Sequence, residues 1–304
     1  MARALREQLD RLRPRVTALA QAISRNRARF RIPLLLLAIA IFVGGVAISV
    51  NELSLNPGQI RYGPLAALAL IVAPLAIAYS AVNMTLMGKA IGVPIGFASG
   101  IRISVFAQVA ELLPIPGGAI VRPAALMKGG GGGLQSTGIV LAFAFLWIAW
   151  AAAGGGLALW SHDQLGLVLL AVGLLAILAI SYWLWAKYGW NVALAANMLR
   201  VLGVLLTVMR IVVAFWVLSL AIGWSDAFGF AFGVVLGSAA SIVPAGLGIG
   251  ESISALIAIP LKVEPAAAFL AVAISRLAGF AVNMLLATIF LAFPAWFEGT
   301  TDHE

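Results

Sequence analysis

Two Pro-Gly breaks inside long apolar stretches constrain the fold of this chain more than any other feature. The first break runs from Leu112 to Arg122 and the second from Ser241 to Glu251. Proline removes a backbone donor and glycine turns without a Cβ penalty, so each break should end a helix at membrane depth. Irregular backbone is tolerated there only where protein or a wet cavity satisfies its polar groups. The two breaks therefore indicate the two halves of a translocation site.

Composition places the chain among helical membrane proteins. Of its 304 residues, 63% are hydrophobic and 10% are charged, whereas a soluble domain carries about 25% charged residues. The chain has no cysteine and only two histidines, His162 and His303. We therefore expect an all-α polytopic membrane protein with no metal, no cofactor and no thiol chemistry.

The apolar stretches divide into complete crossings and two broken segments. A crossing needs about 20 apolar residues, and six stretches meet this length: 33–50, 62–87, 134–160, 165–186, 197–222 and 266–296. The broken segments are 93–127 and 227–262. We interpret them as re-entrant helical segments that enter and leave the membrane on one side. The alternative is that they cross fully, which gives about eight conventional spans.

The order of these stretches predicts an inverted repeat. A span, a broken segment and a second span occur twice with similar spacing, and the two sets enter from opposite sides of the membrane. This plan is common in transporters. Its two units are 62–160 and 197–296.

A basic N-terminal arm, residues 1–32, precedes the single transmembrane domain, 33–296, and a short acidic tail, 297–304, follows it. The arm holds nine arginines against Glu7 and Asp10. Such a segment suits the anionic cytoplasmic leaflet, at about 1 kcal/mol per basic residue, and places the N-terminus in the cytoplasm by the positive-inside rule. We expect membrane lipids, chiefly anionic ones, as partners. We do not expect nucleic acid, because the positive charge is badly distributed along the chain for binding it.

Ionisable groups at membrane depth are the candidate functional residues, because each costs at least a few kcal/mol there. The seven are Arg102, Glu111, Arg122, Arg200, Arg210, Glu251 and Arg276. Arginines outnumber carboxylates, which favours an anionic ligand such as a phosphate. For Arg102 and Arg200 the preferred interpretation is that they pair with other ionisable residues of this set or snorkel from the span ends.

Helical spacing adds two polar faces. Ser104, Gln108 and Glu111 form one stripe that leads to the first break, and Arg276, Gly279 and Asn283 form another on the last span. Each stripe is either an interhelical hydrogen-bonding face or part of a ligand path. The predicted substrate residues are Arg122, Glu251, Arg276, Glu111, Arg210 and Asn283. The predicted hinges are Pro114, Pro116, Gly117, Gly118, Pro244, Gly246, Gly248 and Gly250.

Three short segments carry a resemblance to a known family: Leu113 to Arg122, Pro244 to Glu251, and Ser275-Arg276 in the last span. In them the chain resembles the transmembrane region of lysylphosphatidylglycerol synthases and the related stand-alone flippase-like proteins. It departs from the family pattern at Gly250, where an arginine is common, and at Ala245, where glycine is common. The resemblance implies a lipid-translocating domain of the bacterial cytoplasmic membrane. It also implies a phospholipid or a hopanoid-related lipid as cargo.

Three functions follow as hypotheses. The first is a lipid translocase that moves an anionic or modified lipid between leaflets. The second is a proton-coupled exporter of a small amphipathic solute, and the third is a non-transporting membrane partner of a lipid-biosynthetic enzyme. We expect no enzymatic activity, because no synthase domain follows the last span and no nucleophile–base pair lies within the membrane.

Overall fold

A computed structural model of the chain describes residues 33, 36–112, 117–162, 164–239 and 246–293. These residues form helices joined by turns and 3-10 segments, with no strand among them. The basic arm, the acidic tail and the hinge prolines Pro114, Pro116 and Pro244 lie outside the described residues.

Ten helices run through the described part of the chain. They are α1 (Leu36–Glu52), α2 (Tyr62–Ala90), α3 (Phe97–Glu111), α4 (Gly117–Lys128), α5 (Gly133–Leu159), α6 (Gln164–Tyr188), α7 (Trp190–Val217), α8 (Trp224–Ala239), α9 (Ile249–Ala258) and α10 (Pro265–Ala292). Helix α2 contains a π-helical turn at Leu68–Val72. Five helices, α2, α5, α6, α7 and α10, are long and apolar enough to cross a membrane. The prediction of an all-helical polytopic membrane protein is confirmed at this level.

Five of the six predicted crossings coincide with these five helices, and the predicted bounds differ most from the observed ones at α7. That helix begins at Trp190 rather than at 197, directly after Gly189, whose φ of 89° turns the chain. Helix α1 is shorter than the five crossing helices.

Each broken segment consists of two helices on either side of its break. The first contains α3 and α4, and the second contains α8 and α9. Helix α4 already begins at Gly117, so Arg122 lies on a helix rather than in the break. Glu251 lies in the first turn of α9, at the positive end of that helix.

Helices α8 and α9 are antiparallel neighbours. A Cβ atom added at Gly237 would lie 2.4 Å from the Gly250 Cα, and one at Gly233 would lie 2.7 Å from the Ser254 Oγ. Further along, a Cβ at Gly229 would lie 3.1 Å from Ile257. Residues further along α8 thus contact residues nearer the start of α9. The two helices therefore form an antiparallel helical hairpin, called the second hairpin below.

Helices α3 and α4 pack together in the same way and form the first hairpin. Gly118 lies beside Glu111 near the break, while Gly129, after α4, lies beside Val93, before α3. A Cβ at Gly129 would lie 2.5 Å from the Val93 side chain. The two ends of the first hairpin therefore lie next to each other.

Glycine brings α5 and α6 into close contact. A Cβ at Gly156 would lie 2.3 Å from the Leu170 backbone nitrogen, and one at Gly173 would lie 2.6 Å from that of Ala153. Small residues at helix interfaces let backbones approach closely in membranes, where the apolar side chains have no solvent-driven reason to associate.

The hairpins pack between the long helices. Helix α3 of the first hairpin contacts α2 and α10, and α8 of the second hairpin contacts α7 and α5. The largest buried cluster joins α7, α8 and α10 around Phe215 and Phe230. Each hairpin therefore lies against helices from both halves of the chain.

Candidate functional site

A cavity of about 440 Å³ lies between the two hairpins and the long helices. Five charged side chains among the described residues are part of its lining: Arg122, Arg200, Arg210, Arg276 and Glu111. These five residues give the lining a formal surplus of three positive charges. Helices α4, α7 and α10 supply the arginines, and α3 supplies the glutamate.

Arg276 joins α10 to both ends of the second break. Its Nη1 donates to the Gly246 carbonyl at 2.8 Å and to Glu251 Oε1 at 3.1 Å, while its Nη2 donates to Ser238 Oγ at 2.9 Å. Glu251 is completely buried and lies behind Arg276. A buried carboxylate needs such a partner, because an isolated charge at this depth would be strongly destabilising.

The backbone around this break explains its glycines. Gly246 and Gly248 have φ values of 66° and 80°, in the left-handed region that glycine adopts readily. A Cβ at Gly246 would also lie 2.0 Å from the Gly237 carbonyl oxygen. Glycine at 246 therefore allows both the turn and the approach that presents its carbonyl to Arg276.

A looser ion pair lies at the first break. Arg122 Nη2 is 3.6 Å from Glu111 Oε1, and the two side chains are 27% and 34% exposed. The pair links the last residue of α3 to the second turn of α4 across the break. Its accessibility contrasts with the buried Arg276–Glu251 pair.

Arg210 lies on α7 and donates from Nη2 to the Ser275 carbonyl at 3.0 Å. No carboxylate among the described residues forms a salt bridge with it. Its positive charge is therefore not balanced by the part of the chain that the structure describes.

The interpretation of Arg200 as a snorkelling or ion-paired residue is wrong. Arg200 is 7% exposed, and its Nη1 donates to the Tyr79 hydroxyl at 3.2 Å while its Nη2 donates to Asn83 Oδ1. Its guanidinium carbon lies 5.1 Å from the centre of the Phe143 ring. Tyr79 and Asn83, four residues apart in an apolar span, were the sequence signal that could have indicated a buried polar partner.

Arg276, Gly279 and Asn283, the polar stripe predicted on α10, all line the cavity. Asn283 Nδ2 donates to Gln108 Oε1 at 2.8 Å, which joins α10 to the first hairpin. Of the stripe predicted on α3, Gln108 and Glu111 line the cavity. Ser104 is buried away from the cavity, as part of the α3 packing surface.

The structure brings the predicted substrate residues together. Arg122, Arg276, Glu111, Arg210 and Asn283 line the cavity, and Glu251 contacts it only through Arg276. Among the described hinge residues, Gly118 and Gly246 line it, whereas Gly248 and Gly250 do not. Arg102 is half-buried outside the lining. Sequence reasoning missed Tyr79, Asn83, Trp147 and Thr207, which also line the cavity, and it left Arg200 out of the predicted substrate residues.

Apolar and aromatic side chains complete the wall, including Phe143, Phe145, Trp147 and Phe280. A positively charged cavity with an apolar wall suits an anion attached to an apolar body. Within the described residues, no group of three His, Cys, Asp or Glu side chains could hold a metal ion.

No protein-family model matches the chain. A comparison with curated proteins also finds no match.

Proposed function

We propose that the protein binds the anionic headgroup of a membrane lipid in the central cavity and moves that lipid between the leaflets. The observation that carries the proposal is the charge of the cavity lining, four arginines against one glutamate. Charged groups are expensive at membrane depth and are retained where they bind ligands, pair or line a path. An anion is the ligand that this surplus favours.

The apolar part of the lining selects an amphipathic ligand over a free ion. Phe145, Phe280 and Leu141 face the same cavity as the arginines. A lipid offers a charged headgroup for the guanidinium groups and acyl or polycyclic chains for the aromatic wall. A phospholipid and a hopanoid-related lipid with an anionic group both have this chemistry.

We further propose that both hairpins are re-entrant. Support comes from their antiparallel packing and from the adjacent ends of the first hairpin, Val93 and Gly129. A segment whose ends are neighbours at one face of the bundle returns to the side from which it came. The breaks would then lie at membrane depth, where irregular backbone needs protein or a wet cavity to satisfy its polar groups.

The packing pattern supports an inverted repeat. Helices α2 to α5 form one unit and α7 to α10 form the other. The first hairpin contacts the last helix of the second unit, α10, and the second hairpin contacts the last helix of the first unit, α5. The contacts are thus equivalent under exchange of the two units, as expected for transporter folds of this kind.

The cytoplasmic side of the proposed arrangement is the end that carries Lys89, Lys128 and Lys187. These residues lie at the C-terminal ends of α2, α4 and α6, and the positive-inside rule assigns such an end to the cytoplasm. Lys187 also stacks on Trp183 and Tyr188 at 5.0 and 5.4 Å from the ring centres. Aromatic residues of this type mark the membrane–water interface. We place the protein in the bacterial cytoplasmic membrane.

Membership of the flippase-like family is part of the same proposal. Two of the segments that carry the resemblance contact each other. Arg276, in the last span, forms an ion pair with Glu251, at the end of the second motif. This contact gives a structural reason for both motifs, since together they close the second break.

Lipid exchange in proteoliposomes tests the proposal. Fluorescent phosphatidylglycerol and phosphatidylcholine are followed by quencher accessibility, with and without an imposed pH gradient. Arg210→Gln removes a cavity charge that has no carboxylate partner among the described residues. Arg61→Gln makes the same charge change at an exposed position outside the cavity.

We expect the wild type and Arg61→Gln to accelerate phosphatidylglycerol exchange. Exchange by Arg210→Gln should be about tenfold or more slower than by the wild type, because the variant loses a charged hydrogen bond to the headgroup. No acceleration by folded wild-type protein under either condition would overturn lipid translocation.

A second candidate function is favoured by Glu111. It is the one carboxylate in the cavity lining formed by the described residues, and its side chain is 34% exposed. An accessible carboxylate that pairs loosely with Arg122 suits proton-coupled export of a small amphipathic solute. Solute export that requires a proton gradient, without any change in lipid distribution, would support this alternative.

A further inference from the structure

We propose that the cavity contains two separate anion-binding positions, and that the second is built on Arg200 and receives a phosphate-type group of a lipid headgroup. The inference rests on the proposed function for the identity of the ligand. The presence of two positions is tested by binding alone, independently of transport.

Arg200 is a buried cation that no carboxylate in the described part of the chain balances. It is 7% exposed, and no carboxylate among the described residues forms a salt bridge with it. Its neighbours Tyr79 and Asn83 are neutral, and its Nε has no hydrogen-bond partner in the described part of the chain. A buried charge with incomplete pairing is costly, and an anionic ligand in the adjoining cavity would remove that cost.

The other arginines of the lining differ in this respect. Arg122 pairs with Glu111 and Arg276 pairs with Glu251. Arg200 and Arg210 are the two whose charges are unbalanced among the described residues, and both lie on α7. The anion-binding capacity of the cavity is therefore concentrated on one helix.

The two arginines lie on the same wall but at different depths. Arg200, Gly203, Thr207 and Arg210 follow a spacing of three, four and three residues along α7, and all line the cavity. Ten residues of helix span about 15 Å. Arg200 is ten residues from the start of α7 and Arg210 is seven from its end, so each lies nearer a different end of the helix.

Their surroundings are also separate. Tyr79 and Asn83 on α2, with Phe143 on α5, hold Arg200 in place. Arg210 is held by the Ser275 carbonyl on α10. Because no residue is shared between these sets, each guanidinium group belongs to its own binding position.

A further donor without a partner among the described residues lines the same cavity as Arg200. Trp147 lines the cavity, follows Phe143 by one helical turn on α5, and its buried Nε1 has no partner among the described residues. Trp147 Nε1 and Arg200 Nε can each donate one further hydrogen bond. The oxygens of a phosphate group accept hydrogen bonds and therefore need such donors. Asn83 is fixed by its own bond to the Tyr79 carbonyl at 3.0 Å, which directs its oxygen to Arg200.

The test is native mass spectrometry of the detergent-solubilised full chain, titrated with phosphatidylglycerol. Phosphatidylcholine measures nonspecific adducts, and inorganic phosphate is added as a competitor. The variants are Arg200→Gln, Arg210→Gln, their combination, and Arg61→Gln as the matched control. A thermal melt establishes that each variant is folded.

We expect two phosphatidylglycerol molecules on the wild type and on Arg61→Gln, one on each single cavity variant, and none on the double variant. Loss of the charged hydrogen bonds should weaken the affected position by about tenfold or more. Two molecules bound to Arg200→Gln with wild-type affinities would overturn the inference. Displacement of the second lipid by inorganic phosphate at equal affinity would identify a free anion, rather than a lipid, as the ligand.

Trp147→Phe provides a second variant if Arg200→Gln does not fold, because it removes an N–H group that makes no bond among the described residues. It should weaken the second position by about fivefold, the value of one neutral hydrogen bond, and an unchanged affinity would contradict the inference. Two bound lipids without transport would support the two binding positions and reject the proposed function. One bound lipid with normal transport would support the proposed function and reject the second binding position.

Discussion

Arg276 lies 3.1 Å from Glu251, and this buried ion pair joins the last crossing helix to the first turn of α9. The same guanidinium group also contacts the Gly246 carbonyl and Ser238, on the two sides of the second break. Closure of the second hairpin thus depends on a side chain from another helix, 25 residues from Glu251 along the chain.

Glu251→Gln should lower the thermal stability of the purified protein. The substitution leaves Arg276 buried without a counter-charge, and loss of one partner of a buried pair costs about 3–5 kcal/mol. The melting temperature in detergent measures the effect. Glu52→Gln, at an exposed position at the end of α1, is the control and should melt like the wild type.

A double variant separates the pair from its surroundings. Arg276→Gln with Glu251→Gln removes both charges of the pair and leaves neither partner buried alone, so it should be more stable than Glu251→Gln alone. If Glu251→Gln and Glu52→Gln melt at the same temperature, the pair does not stabilise the second break.

Gly237→Ala should also destabilise the protein, through the backbone contact within the second hairpin. The added methyl group would lie 2.4 Å from the Gly250 Cα, and backbone cannot shift as easily as a flexible side chain. Overpacking of this kind costs about 1–3 kcal/mol. The melting temperature should fall relative to Gly138→Ala, a helical glycine whose added Cβ meets nothing within 4 Å. Equal stability of the two variants would show that α8 and α9 are not closely packed.

The crossing helices were predictable because their signal is local. A long apolar stretch with few charges indicates a span whatever its neighbours are, and α2, α5, α6, α7 and α10 all follow this rule. The breaks were equally visible, since proline and glycine act within a few residues. The bounds of α4 were harder to predict, because this helix continues through Pro123 and includes Arg122.

The partners of the buried charges were not predictable, because they depend on distant parts of the chain. Arg200 bonds to Tyr79 and Asn83, which are 121 and 117 residues away. Apolar stretches alone do not specify which helices become neighbours, so a single buried arginine cannot be distinguished from one that snorkels. Gln108 and Asn283 were each placed on a polar stripe, but their bond across 175 residues was not foreseen.

Glu111→Gln should tighten the binding of an anionic lipid and slow its transport. It removes the one negative charge that the described residues contribute to the lining, so the surplus rises from three to four and Arg122 becomes unpaired. At a partly screened distance the added attraction corresponds to about a tenfold gain in affinity. Phosphatidylglycerol titration and proteoliposome exchange measure the two effects.

The control for this prediction is again Glu52→Gln, which makes the same charge change outside the cavity and should alter neither quantity. Weaker binding of phosphatidylglycerol by folded Glu111→Gln would show that Glu111 contacts the ligand directly instead of offsetting the arginines.

Single cysteines should map the two hairpins to opposite sides of the membrane. The natural chain has no cysteine, so each variant carries one reactive thiol without further substitution. Lys89→Cys and Lys128→Cys flank the first hairpin, and Ser225→Cys and Lys262→Cys flank the second, all at exposed positions. A membrane-impermeant maleimide should label the first two only from the cytoplasmic side and the last two only from the other side. Labelling of Lys89→Cys and Lys128→Cys from opposite sides would show that the segment formed by α3 and α4 crosses the membrane instead of returning. That result would also contradict the inverted repeat.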